Sequence, residues 1–84
     1  MDDKEIARAL VRKLAYMGKW GASHTSFDNL PKGFPGHLRG DVKKVAERLI
    51  KQTILLAKPT SYGAEVSLNP VRKADIEAMM RGSL

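Results

Sequence analysis

Between Gly36 and Leu68 the spacing of apolar residues switches from a helical period to a strand period, and this switch limits what the chain can fold into. In Gly36-His-Leu-Arg-Gly-Asp-Val-Lys-Lys-Val-Ala-Glu-Arg-Leu-Ile-Lys-Gln52 the apolar residues Leu38, Val42, Val45, Ala46, Leu49 and Ile50 recur at steps of three and four. They therefore share one face of a helix. On a wheel of about 100° per residue, His37, Gly40, Lys44, Glu47 and Lys51 point the other way, with Lys43 and Arg48 on the flanks. The helix runs directly into two predicted strands, Ile54 to Lys58 and Ala64 to Leu68. In the second, Ala64, Val66 and Leu68 alternate with Glu65 and Ser67. The link Pro59-Thr-Ser-Tyr-Gly63 is expected to be a tight loop. A basic amphipathic helix followed by a hairpin is the organising unit.

The flanking sequence supplies further helices. Asp2 or Asp3 is placed to cap a first helix reaching about Met17, with the apolar stripe Ile6, Leu10, Leu14 and Met17 widened by Ala7 and Val11. Arg8 and Arg12 lie opposite that stripe, and Gly18 suits the stop. Lys19 to His24 reads as a connector or a short edge strand. Thr25-Ser-Phe-Asp28 has the form of a capping box and predicts a short second helix through Leu30, with Phe27 and Leu30 turned inward. Pro31-Lys-Gly-Phe-Pro35 must then turn. The third helix begins just after Pro35 and ends near Thr53; alternatively, Asp41 caps it and Gly36 to Gly40 form a separate turn. Asn69-Pro70 marks the N-cap and first position of a fourth helix through about Met80. There is no internal repeat and no low-complexity tract.

A chain of 84 residues has room for one small core, so 1–84 is expected to be a single domain. Cysteine is absent, which rules out disulfides and thiolate-bound zinc. No apolar run approaches the roughly 20 residues needed to span a bilayer. The acidic start Met1-Asp-Asp-Lys-Glu5 leads straight into a helix, unlike a secretory signal. A cytoplasmic location without membrane contact is the expectation. The net charge of +6 is unevenly placed: Lys32 to Lys58 holds seven cations and two anions. Clustered positive charge attracts phosphate polymers or acidic surfaces.

The order of helix, short helix, turn, helix, hairpin and helix resembles the winged helix-turn-helix domain along nearly the whole chain. More narrowly it is similar to small stand-alone winged-helix proteins of archaea. The likeness is carried by His24-Thr-Ser-Phe-Asp-Asn-Leu-Pro-Lys-Gly-Phe-Pro35, by Leu38-Arg-Gly-Asp-Val-Lys-Lys44, and by Lys58-Pro-Thr-Ser-Tyr-Gly63 leading to Ser67-Leu-Asn-Pro70. It implies an α+β, mostly α fold: a three-helix core, a two-stranded β-hairpin wing and a C-terminal helix. The implied function is DNA binding, as a transcriptional regulator or chromatin-associated factor, with helix 36–52 in the major groove.

In that arrangement the start of the recognition helix meets base edges while flanking groups hold phosphates. His37, Arg39 and Gly40 would take the first role, and Lys43, Lys44, Arg48 and Lys51 the second. Gly40 would let the backbone approach DNA closely, or else mark a kink or helix start. Glu47 is expected to pair with Lys43 and Lys51 at i, i+4. The wing would add Lys58 at its base and Tyr62 at its tip. Thr60 and Ser61 offer hydroxyls to phosphate there, in place of the Arg or Lys that enters a minor groove. Tyr62 could equally be a packing residue.

Trp20, Phe27 and Phe34 are expected in the core rather than as stacking platforms, because single-strand binders need several exposed aromatics along one groove. Met17, Met79 and Met80 are expected gap fillers, with a dimer seam as the alternative for the last two. His24 and His37 each precede an aspartate by four positions (Asp28, Asp41), a weak metal or catalytic signal. No metalloprotease, phosphate-loop, dinucleotide or nucleophile-elbow motif is present, so neither an enzyme nor a cofactor is expected. Double-stranded DNA is the leading partner; RNA or an acidic protein are the competing ones.

Overall fold

The computed structural model describes residues 1–82. Helix α1 spans Asp3–Tyr16, and a reciprocal cap fixes its start. The Asp2 carboxylate accepts from the Glu5 N–H at 2.8 Å, while the Asp2 N–H donates to the Glu5 carboxylate at 3.3 Å. The helix stops at Gly18, which takes φ +68° so that its own N–H and that of Lys19 turn back onto the carbonyls of Ala15 and Leu14.

The predicted second helix is not one. Thr25–Ser26 forms strand β1, and only Phe27–Asn29 turns, as a single 3-10 turn capped by the Ser26 hydroxyl. The few residues ahead of Pro31 cannot repay the cost of nucleating an α-helix, whereas Thr25, β-branched, gains a ladder partner. A further 3-10 turn at Gly36–Leu38 leads into helix α2, Arg39–Lys51. The N-cap of α2 is therefore Leu38, with no side-chain cap, rather than Asp41, which lies in the first turn.

Strands β2 (Leu55–Thr60) and β3 (Gly63–Leu68) form the hairpin. They are longer than expected, and the loop contracts to Ser61-Tyr62. Strand β1 joins the far side of β3, with Thr25 opposite Val66 and Ser26 opposite Glu65. The antiparallel sheet thus has three strands in the order β1-β3-β2, not two. Next to β1, the connector after α1 follows the same edge: Leu68 donates to the Lys19 carbonyl at 2.7 Å, and Gly21 donates to the Leu68 carbonyl at 3.0 Å. Pro59 is tolerated because β2 is an edge strand. After the sheet, Asn69 caps a 3-10 turn at Pro70–Arg72 by accepting from the Val71 N–H at 3.1 Å, and helix α3 follows at Lys73–Arg81.

The core gathers Ile6, Leu10, Val11 and Leu14 from α1, Val42, Val45, Ala46 and Leu49 from α2, Val66 and Leu68 from β3, and Ile76 from α3. Ile50 is only half-buried. Trp20, Phe27, Phe34, Met79 and Met80 pack against this cluster, as expected of them. Met17 does not: it lies past the last turn of α1 and is 42% exposed. Of the polar side chains, Ser67 is fully buried, its hydroxyl donating to the Gly21 carbonyl at 2.8 Å. No helix among the described residues is long and apolar enough to cross a membrane.

Candidate nucleic-acid interface

Burial of Val42, Val45, Ala46 and Leu49 sets the roll of α2 and turns Arg39, Gly40, Lys44, Glu47, Arg48 and Lys51 to solvent. His37 is exposed on the 3-10 turn just before it. Of the helical part of the sequence-derived set, His37, Arg39, Gly40, Lys44, Arg48 and Lys51 are thus exposed and Lys43 is not, and its members are not equivalent.

Lys43 is half-buried and leans toward Asp28 on the turn after β1, with its ammonium 3.9 Å from the carboxylate. Arg48 donates to Asp3 at the start of α1 at 3.2 Å. These two cations are tied to neighbouring elements. His37, Arg39, Lys44 and Lys51 have no ion-pair partner among the described residues. The expected pairing of Glu47 with Lys43 and Lys51 does not occur, since Lys43 finds an acid across the fold instead. Glu47 lines a shallow depression of about 260 Å³ together with Lys44, Arg48 and Lys51. Gly40 falls in the first turn of α2, and a Cβ built there meets nothing within 4 Å. No packing demand explains the glycine, and its position favours the helix-start alternative.

The hairpin contributes less than the sequence suggests. Lys58 is exposed and sits opposite Glu65 in the ladder, so an acid shares its neighbourhood. The Thr60 hydroxyl is used within the turn, donating to the Gly63 carbonyl at 3.0 Å and accepting from the Tyr62 N–H at 3.3 Å. It is therefore not free for phosphate. Tyr62 is 97% exposed, which removes the packing alternative for it.

Three residues that position this surface were not singled out by the sequence. The Lys13 ammonium donates to the carbonyls of Asn29, Leu30 and Lys32 at 3.1, 3.2 and 2.6 Å, pinning the turn that leads into α2 to the side of α1. Burial, and secondly the charge of Lys32, hold its pKa below the ordinary lysine value. At the other end of α2, Arg72 donates to the Gln52 carbonyl at 2.6 Å and to the Thr53 hydroxyl at 2.7 Å. Thr53 adopts φ +62°, a left-handed conformation rare for a β-branched residue. Neither contact has a local sequence signal, because both join elements distant in the chain.

Among the described residues, no group of three or more His, Cys, Asp or Glu is placed to hold a metal ion; His24 is half-buried and His37 exposed. In comparison with known proteins, no family model, no curated protein and no solved structure matches the chain.

Proposed function

We propose that the protein is a winged-helix protein that binds double-stranded DNA, as a transcriptional regulator or chromatin-associated factor, with α2 in the major groove. The observation that carries this reading is the division of α2. Its buried side packs on α1 and the sheet, while Arg39, Lys44 and Lys51 stand on the solvent side with no acidic partner among the described residues. The element order supports the fold assignment, with a short strand between the first two helical segments pairing onto the hairpin that follows α2.

In this arrangement His37 and Arg39 meet base edges from the first turns, with Gly40 allowing close approach. Lys44 and Lys51 hold phosphates, and Lys43 and Arg48 join them only by leaving Asp28 and Asp3. Lys58 and Tyr62 touch the backbone from the hairpin. An electrophoretic shift on duplex DNA and on structured RNA, beside a protein pull-down, tests the proposal. The expected result is a shift of duplex DNA at low salt that fades as salt rises. No duplex shift at low salt overturns it. A preference for structured RNA, or capture of an acidic protein alone, moves the basic face to that partner.

A further inference from the structure

We propose that the groove enclosed by α1, the C-terminal half of α2 and α3 binds a small organic anion, an apolar body carrying one carboxylate. The groove measures about 800 Å³, within the range of small-molecule sites. It lies on a different side of α2 from Lys44 and Lys51, and its apolar lining includes Ala7, Leu49 and Met79.

Charge at the walls selects the ligand. Four cations, Lys4, Arg8, Arg48 and Arg72, face two acids, Asp3 and Asp75. Both acids are already engaged: Asp3 lies 3.2 Å from Arg48, and Asp75 lies 2.7 Å from Arg72. Lys4 and Arg8, one turn apart on α1, have no ion-pair partner among the described residues. A single carboxylate entering the groove offsets half of that surplus, whereas an uncharged apolar molecule leaves it standing and a cationic one adds to it. Arg8 is held close to the end of α3: a Cβ added to Gly82 would lie 2.9 Å from its Nη2. Its guanidinium therefore stands where α1 and α3 converge. The apolar lining then takes the tail, and Lys4 and Arg8 take the head.

Decanoate, added below its micellar range to the isotope-labelled full chain without nucleic acid, tests this site apart from the DNA reading. Saturable amide shifts centred on Ala7, Arg8, Leu49 and Met79 are expected. Decanol and decyltrimethylammonium should bind more weakly, in that order. The double variant Lys4→Gln, Arg8→Gln should weaken decanoate by about tenfold or more, the scale of one charge-assisted contact, while leaving decanol unchanged. The head-group series on the unaltered chain decides the matter even if that variant folds poorly. Equal affinity for all three decyl compounds, shifts centred on the exposed sheet residue Leu56, or undiminished binding by a folded double variant overturns the proposal.

Discussion

Arg72 holds Thr53 in a backbone conformation that threonine avoids. Its Nη1 reaches the Thr53 hydroxyl at 2.7 Å and the Gln52 carbonyl at 2.6 Å, while Asn69 donates to the Thr53 carbonyl at 2.8 Å. Helices α1 and α2 end in the same hydrogen-bonded turn: Gly18 supplies its left-handed residue at φ +68°, and Thr53 does so at φ +62°. In α2 the side-chain bonds replace what a glycine would give for nothing.

A substitution series at this joint should separate strain from bonding. Thr53→Gly relieves the left-handed penalty but loses the hydroxyl, so stability should change by less than about 1 kcal/mol. Thr53→Val keeps the strain without the hydroxyl and should lose more. Arg72→Ala should cost about 1–2 kcal/mol, because the Gln52 carbonyl loses a charged donor. Urea unfolding of the three variants gives this order.

Lys13 should leave a signature in alkaline solution. Its folded-state pKa lies below the ordinary 10.5, so between those two values the unfolded chain carries a proton that the folded chain has released. Stability contributed at this site therefore rises with pH through that window and is flat beneath it. Compared with Lys13→Met, the unaltered protein should gain unfolding free energy as pH approaches 10.5 from below. At neutral pH the variant should be the less stable by about 1–3 kcal/mol, having left three carbonyls to water. Denaturant titrations across pH read both effects.

Leu49→Ala should destabilise the fold by about 2–5 kcal/mol through the cavity it leaves. Leu49 is only 3% exposed in the core, whereas its neighbour Ile50 is half-buried and should cost less on the same change. Equal melting temperatures for the two variants would contradict the roll of α2 on which the exposed face depends.

Under the DNA-binding proposal the cations of α2 should fall into two ranks. Lys44→Glu should weaken binding to every duplex alike and lower the salt dependence, whose slope is about −0.9 per phosphate neutralised. Lys43→Glu should matter less for the face itself, since Asp28 already holds that ammonium. Asp3→Asn, which frees Arg48, should strengthen binding. Filter binding over a salt series ranks the variants.

Arg39 distinguishes base reading from backbone clamping. Its replacement by Ala should relax selectivity at one base position by about 1–3 kcal/mol if it pairs with guanine. An equal loss for every sequence assigns it to phosphate and points to an architectural protein rather than a regulator.

Local interactions were legible and distant ones were not. The Asp2 cap, the Gly18 stop, the Asn69-Pro70 start and the buried face of α2 each depend on residues within a turn of one another. A two-residue strand such as Thr25–Ser26 has no period to detect, and its partner Val66 lies in the other half of the chain. The same applies to the surface: all the residues of the helical face were identifiable, but the acids that tie down Lys43 and Arg48 come from elsewhere in the chain. Charge counting alone could not rank them.

The central position of β3 has a consequence during synthesis. Gly21 and Ser67, 46 positions apart, meet in a hydrogen bond, and Lys19, Thr25 and Ser26 are likewise held by this late strand. Until Leu68 has left the ribosome, the early edge has no ladder to join, and α1 lacks part of its covering. Folding must then wait for nearly the whole sequence and proceed as one step, with its rate set by long-range closure rather than by the quick local helices. A nascent chain stalled before β3 should remain sensitive to protease even though the residues of α1 and α2 have all been made.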